Sequence, residues 1–384
     1  MPVPHCHAVV VKLASRCNLN CSYCYIYNMG DSSYAAQPAL MSIGTASALI
    51  DRAAEHCVSH KLEHFSFVFH GGEPLLAPSR LFESFVAMAA DRFSGVCPVS
   101  FAVQTNGTLL SDEVCRSFAR LNVHVGLSLD GSRETHDARR KYHSGAGSYD
   151  DVLRGWNFAV KAGLKPGILS VVDADADPKS IFRHLALFRP NAVDFLLPDA
   201  NHEKLPPRPT STDSRTPYAD WLIAIFEEWI SGERPPFRIK LFEAIIAACL
   251  GEAIDSESAG QRLNEILVVE CDGSIGPTDV LKICGDSTTE HNVHSASFDE
   301  ALAHPLIALY QNSNQKLCPD CNACRIHHVC GGGHLPHRYR AKNGFDNPSV
   351  YCADLLKLID HIQEWVGGQL QLPESVELSP LHPD

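Results

Sequence analysis

No run of apolar residues reaches the roughly 18 that a membrane span needs, although 45% of the 384 residues are hydrophobic. The opening stretch, MPVPHCHAVVVKLAS, lacks the basic start, long apolar core and small-residue cleavage site of a secretory signal. A cytoplasmic protein with no membrane partner is expected. Clustered Lys and Arg are also missing: 32 basic residues face 45 acidic ones, for a formal net charge of −13. Without a basic stripe to neutralise phosphates, nucleic acid is not an expected partner. No internal repeat appears beyond an alternation of strand and helix patterns.

Cysteine is what the chain has in excess. Fifteen are present, an odd number that suits no complete disulfide framework. In a reducing compartment, clustered thiols serve metals more often than disulfides. Cys17, Cys21 and Cys24 form one cluster, and seven more lie between Cys271 and Cys352. Cys6, Cys57, Cys97, Cys115 and Cys249 are scattered and read as small buried hydrophobes.

Hydrophobic patterning predicts strands at Ala8–Leu13, Phe65–His70, Ser100–Gln104, His124–Leu129, Gly167–Val172 and Val193–Leu197. Helices are expected from Ser42 to Cys57, Pro78 to Phe93, Ser111 to Leu121, Ser148 to Ala162 and Asp177 to Phe188. Six βα units imply an α/β fold, a partial (β/α)6 barrel of the TIM type with its loops gathered at the strands' C-terminal ends. A Pro/Ser/Thr-rich stretch, Asn201–Pro217, precedes helical patterns at Tyr218–Ile230 and Ile239–Gly251. Ile266–Val269 and Gly273–Ile275 read as a hairpin, and a final helix is expected over Ala353–Val366. The expected division is a barrel over 1–200, a connecting loop and helices over 201–264, a cysteine-rich region with the final helix over 265–366, and a mobile tail over 367–384.

Cys17-Asn-Leu-Asn-Cys21-Ser-Tyr-Cys24 follows the first strand directly. Three thiolates this close can cap three corners of a 4Fe–4S cubane and leave one iron open. Zinc would require a fourth ligand, for which His5 or His7 stands available. His70-Gly71-Gly72-Glu73-Pro74 closes the second strand, Gln104-Thr105-Asn106-Gly107 the third and Leu127-Ser128-Leu129-Asp130-Gly131 the fourth. By itself the Gly-Gly-Glu-Pro stretch also reads as a turn. With Tyr23 before the last cysteine, this set resembles the radical S-adenosylmethionine superfamily. The resemblance implies that Cys17, Cys21 and Cys24 hold the cluster. It places Tyr23, Gly71, Gly72, Glu73, Asn106, Ser128 and Arg140 around S-adenosylmethionine, with Glu73 on the cofactor's amino group. Arg140 has a plainer reading as a solvated charge beside a helix.

Cys318, Cys321, Cys324, Cys330 and Cys352 suit either zinc or iron–sulfur by spacing. The region resembles the SPASM extension of radical enzymes that modify peptides. That likeness implies one auxiliary 4Fe–4S cluster on Cys321, Cys324, Cys330 and Cys352. His334 and Thr278 stand where relatives with a second auxiliary cluster carry cysteine. Cys271, Cys284 and Cys318 remain for it, with His334 as a possible fourth ligand. Asp279 resembles the family's barrel-facing aspartate, a base for the oxidised substrate, and alternatively reads as a turn residue after Pro277.

The stretches Tyr25–Asp31, Gly331–Tyr339 and Gly344–Cys352 resemble cyclophane-forming peptide maturases. This implies a ribosomal precursor peptide as substrate, a carbon–carbon bond from an aromatic ring to a neighbouring β-carbon, and a reductant such as flavodoxin or ferredoxin. With the first strand starting near Ala8, leader-peptide binding is expected to use the barrel, the cysteine region or another chain. Formylglycine formation in a sulfatase and thioether crosslinking are the alternative outcomes. A non-catalytic zinc or iron–sulfur scaffold or sensor is the alternative of another class.

Overall fold

The computed structural model describes residues 4–370, apart from 211, 253, 255, 286 and 287. The tail expected over 367–384 therefore lies outside the described residues from 371 onward, and the final helix runs Cys352–Leu370. Among the described residues, no helix is long and apolar enough to cross a membrane.

All six expected strands form, each bound within one residue of its expected place. They are β1 (Ala8–Ala14), β2 (Phe65–Gly71), β3 (Val99–Thr105), β4 (Val123–Ser128), β5 (Gly167–Val171) and β6 (Ala192–Leu196). Each pairs parallel with the next. The connecting helices are α1 (Ile43–His60), α2 (Ser79–Arg92), α3 (Asp112–Arg120), α4 (Arg133–Arg139), α5 (Tyr149–Lys161) and α6 (Pro178–Phe188). Side-chain caps start several of them: Ser42, Ser111 and Asp177 each accept a backbone N–H three residues on. The sequence pattern gave no sign of α4. Its RETHDAR sequence carries no apolar stripe, and the Ser132 cap on Thr135 N opens it instead.

The arc grows beyond the six expected strands at both ends. After α7 (Pro217–Ile230), the two-residue β7 (Arg238–Ile239) pairs with β6 and leads into α8 (Lys240–Cys249). Two residues are too few to show a period. At the other end β8 (Ile266–Val269) pairs parallel with β1, and β9 (Ile275–Gly276) returns antiparallel to β8. The expected hairpin exists, but its first arm joins the barrel sheet. Its second arm starts later than Gly273, which takes φ +91° in the turn. The sheet order is β7-β6-β5-β4-β3-β2-β1-β8-β9, an open arc.

Period-two alternation decides which side chains reach the interior. On β2, Phe65, Phe67 and Phe69 are fully buried against the helix layer, where Phe67 and Phe69 meet Phe85 edge-on at 5.2 and 5.1 Å. Each buried phenylalanine contributes about 1.5–3 kcal/mol. The alternate residues Ser66, Val68 and His70 face the other way, and the register sets His70 beside Lys12 of β1. The scattered cysteines behave as small hydrophobes: Cys6, Cys57 and Cys115 are buried, and Cys97 and Cys249 partly so.

The cysteine-rich region contains more regular structure than its pattern shows. Short helices occupy Phe298–Leu302, Pro305–Gln311, Pro319–Asn322 and His327–Cys330. Its anchor is Arg338, 2% exposed, whose guanidinium donates to the carbonyls of Gly331, Gly332, Gly333 and Ser313 at 2.7–2.9 Å. Three successive glycines at φ +59°, +78° and +68° curl the chain around it. A β-carbon on Gly331 would lie 1.7 Å from Gly260 O. A hydrogen bond to a charged group contributes about 1.5–3 kcal/mol, so Arg338→Met, which strands four buried carbonyls, is expected to cost several kcal/mol. Thermal unfolding checks this, and an unchanged midpoint would contradict it.

Candidate active site

The loop after β1 carries Cys17, Cys21 and Cys24, all free thiols. The chain is pinned on either side of Cys21, with Asn20 N donating to Lys141 O at 2.7 Å and Ser22 N to Arg139 O at 2.9 Å. Burial pushes the Cys17 thiol up to about 12, and also raises Cys21 and Cys24. Each thiolate would further raise its neighbours, so the set holds charge only with a cation among it. Of the positive groups, Arg140 favours the thiolates of Cys21 and Cys24.

The fourth zinc ligand expected from His5 or His7 does not reach this loop. Both histidines precede β1, at its opposite end, and each stands 3.2 Å from a Glu265 carboxylate oxygen. A seven-residue strand spans about 20 Å, far beyond a metal bond. The loop brings three thiols together, with His143 Nε2 3.1 Å from Cys17 O beside them, and three thiols fit a cubane with one open iron.

Against this loop lies the turn after β2. Gly71 takes φ +143°, where a β-carbon would stand 2.1 Å from Ala14 O, and one on Gly72 would stand 2.4 Å from Arg16 O. Gly72 N donates to Ala14 O at 2.8 Å and Glu73 N to Arg16 O at 2.9 Å. Only glycine permits this seam. Glu73 sits beneath this turn. Its carboxylate is fully buried and already taken, by Thr105 Oγ1 (2.6 Å), Asn106 N (2.8 Å) and Leu75 N (3.0 Å). It clasps the β2 and β3 turns together. Asn106 stands at the cluster loop, its Nδ2 at 2.8 Å from Asn18 Oδ1 and 3.8 Å from Cys17 Sγ.

Arg140 is not a solvated charge. It is 8% exposed, with Nη1 donating to Tyr23 Oη at 2.5 Å, and Tyr23 donating in turn to Asp130 Oδ2 at 2.5 Å. Arg140 Nε is buried with no hydrogen-bond partner among the described residues. A donor left in this state suits an anionic ligand. Ser128 ends β4 and accepts from Gln104 Nε2 at 3.0 Å.

Asp279 opens a short 3-10 turn (Asp279–Cys284), and its side chain points inward, away from the turn role. Oδ2 pairs with Lys12 Nζ and accepts from Tyr25 Oη at 2.8 Å. Lys12 Nζ also lies 3.0 Å from His70 Nδ1. Burial brings the Lys12 ammonium down to about 8, opposed by the nearby Glu270 carboxylate. Burial likewise drives His70 well below the usual imidazole range. Lys12 was missed in the sequence, though a lone charge in AVVVKLA was its signal.

In the cysteine region, Cys318 stands with the set of Cys321, Cys324, Cys330 and Cys352. Cys321 is raised to about 12 by burial and by a hydrogen bond with Cys318, with Cys352 adding to it. Cys330 is raised to about 11 by burial, with Cys352 and Cys324 contributing. Cys271 Sγ donates to Lys12 O at 2.9 Å, while Cys284 lies near Asn201 and Asp199, its sulfur 3.8 Å from Pro336 O. Asp199, His334 and His337 come together instead, a trio separated by 135 positions in sequence at its widest step from Asp199 to His334.

Glu73→Gln is expected to reduce stability by about 1–3 kcal/mol, because an amide would set a donor against one of three donors. Chemical unfolding of the variant checks this; equal stability would contradict the clasp.

Comparison with known proteins follows the same lines. A family model described as the radical SAM superfamily matches residues 11–174. The chain is similar to a serine-type anaerobic sulfatase-maturating enzyme of Bacteroides thetaiotaomicron, 24% identical over 379 residues, covering 94% of this chain and 90% of that one. It is also similar to a cysteine-type anaerobic sulfatase-maturating enzyme of Clostridium perfringens, 24% identical over 371 residues and covering 94% and 96%. Among solved structures, native anSMEcpe with bound AdoMet shares the fold at TM-score 0.80 and 21% identity, over 94% of this chain and 98% of that one. The three-thiol loop sealed on a Gly-Gly turn, at the head of the parallel arc, lies within residues 11–174, the part of the chain that matches the radical SAM superfamily.

Proposed function

We propose that this radical SAM enzyme modifies a ribosomally made precursor peptide, joining an aromatic ring to the β-carbon of a nearby residue. The observation that carries the reading is the buried Asp279–Lys12–Tyr25 group, held inside the same arc that carries the cysteine loop. Cys17, Cys21 and Cys24 would hold the first 4Fe–4S cluster. Gly71, Gly72, Asn106, Ser128, Tyr23 and Arg140 would surround S-adenosylmethionine. Cys321, Cys324, Cys330 and Cys352 would hold an auxiliary cluster. When bound, these groups supply a 5′-deoxyadenosyl radical that removes a β-hydrogen atom, and an acceptor for the surplus electron delivered after the ring is attacked.

The chain's own residues do the rest. Asp279 takes the ring proton when the arene regains aromaticity, and Tyr25 and Lys12 fix the carboxylate that receives it. Lys12, brought to about 8 by burial, can pass a proton near neutrality. The buried interior keeps water and other hydrogen donors from quenching a carbon radical. A flavodoxin or ferredoxin would supply the reducing electron.

A second reading, formylglycine formation on a sulfatase, is favoured by the sulfatase-maturating relatives. His334 and Thr278, standing where sulfatase-maturating relatives with a second cluster would carry cysteine, favour the first. Co-expression with the peptide of a small neighbouring reading frame tests both. The crosslink gives a product two hydrogens lighter, inert to hydrazide, with no fragment ions between the joined residues. Formylglycine from serine is also two hydrogens lighter, but it reacts with hydrazide, and that result would overturn the crosslink. Asp279→Asn is expected to lower product formation by about 10²–10⁴-fold while 5′-deoxyadenosine still forms. Full crosslinking by this variant would remove Asp279 from the role of base.

A further inference from the structure

We propose that Asp199, His334 and His337 form a mononuclear site for a divalent first-row transition ion of the zinc class, bound through nitrogen and oxygen alone. One ring nitrogen from each histidine and one Asp199 carboxylate oxygen lie within 4.8 Å of one another. Zinc bonds to imidazole and carboxylate at about 2.0–2.2 Å, which sets such ligands about 3–4 Å apart. Contraction by about an ångström therefore closes the set.

The chain builds this site from rigid parts. His334 caps and His337 belongs to the 3-10 turn Leu335–Arg338, where residues three apart lie on one face. Four hydrogen bonds from Arg338 hold that turn, and Val350 N donates to His337 O at 2.9 Å. Asp199 follows β6 and is carried in from the barrel side. The site therefore joins the barrel to the cysteine region.

The second observation is an unmet need. Among the described residues, His334 Nε2 and His337 Nε2 are both buried with no hydrogen-bond partner, and His337 is only 4% exposed. Buried imidazole nitrogens normally find one. Glu257 Oε2 stands 3.5 Å from His334 Nε2, at ion-pair reach. The contrast is His56, His60 and Asp299, which also cluster. There His56 and His60 reach Asp299 Oδ1 at 2.7 and 2.9 Å, and Cys6 N donates to His56 Nε2 at 3.1 Å. That group is satisfied as it stands.

Two imidazoles and a carboxylate suit zinc and its neighbours and do not suit a cubane, which takes thiolates. Cys284, on which Asp199 acts, is outside the clustered set. Asp199 and Glu257 also act on the buried Tyr25 phenol, which donates to Asp279 Oδ2.

The test uses the full chain, purified anaerobically, reconstituted with iron and sulfide, stripped with EDTA and titrated with zinc chloride. One zinc equivalent is expected, with a zinc-edge X-ray absorption spectrum showing only nitrogen and oxygen neighbours. His334→Ala and Asp199→Asn should weaken binding by more than the 10–100-fold typical of an outer-ligand change, with iron and sulfide content unchanged. His60→Ala should bind as wild type. Zinc should raise the unfolding temperature of the wild type and not of His334→Ala. No retained zinc, sulfur among its neighbours, or wild-type binding by both ligand variants would overturn the site. These readouts are independent of 5′-deoxyadenosine formation, so failure here leaves the radical reading intact.

Discussion

The seam between the ends of β1 and β2 governs the rest of the site. Ala14 O and Arg16 O occupy the space where side chains at Gly71 and Gly72 would be. Because these positions lack a β-carbon, the two backbones hydrogen-bond directly, and the cysteine loop leaves β1 at a fixed height. The same register sets Lys12 opposite His70 one step below. A bulkier turn would lift the loop and misplace everything hung from it. Glu73, buried beneath, joins the turn to the end of β3 and makes the seam a three-strand structure.

Buried charges are placed on either side of this seam, and each has its compensation. Toward the cluster loop, Arg140 meets Tyr23 and Asp130. Toward the interior, Lys12 meets Asp279, with Tyr25 on the same carboxylate oxygen. In the cysteine region Arg338 is surrounded by carbonyls and also acts on the thiols of Cys321 and Cys330. Each of the three sets side chains from distant sequence at fixed separations, which a radical reaction needs more than it needs mobility.

The strands were legible because their Val/Leu/Phe patterns are long and bounded by turn residues, and the cysteine loop because its spacing is short-range. What escaped depends on contacts distant in sequence. β7 has two residues, and the union of β8 with β1 joins positions more than half the chain apart. The motif singled out Glu73, but not the Thr105, Asn106 and Leu75 donors that the fold sets around its carboxylate. Cys318, left for a second cluster with Cys271 and Cys284, also hydrogen-bonds with Cys321 three positions on. His334 was marked as a departure from cysteine, but Asp199 and His337 gave no local sign of converging on it.

The central claim is that Cys17, Cys21 and Cys24 hold the cluster that splits S-adenosylmethionine. Its most direct measurement is the anaerobic formation of 5′-deoxyadenosine by the reconstituted chain after reduction, beside a Cys21→Ala variant. The account predicts turnover by the wild type and its loss in the variant, with the iron assigned to Cys321, Cys324, Cys330 and Cys352 retained. No 5′-deoxyadenosine from the reconstituted wild type, or equal amounts from the variant, would contradict it.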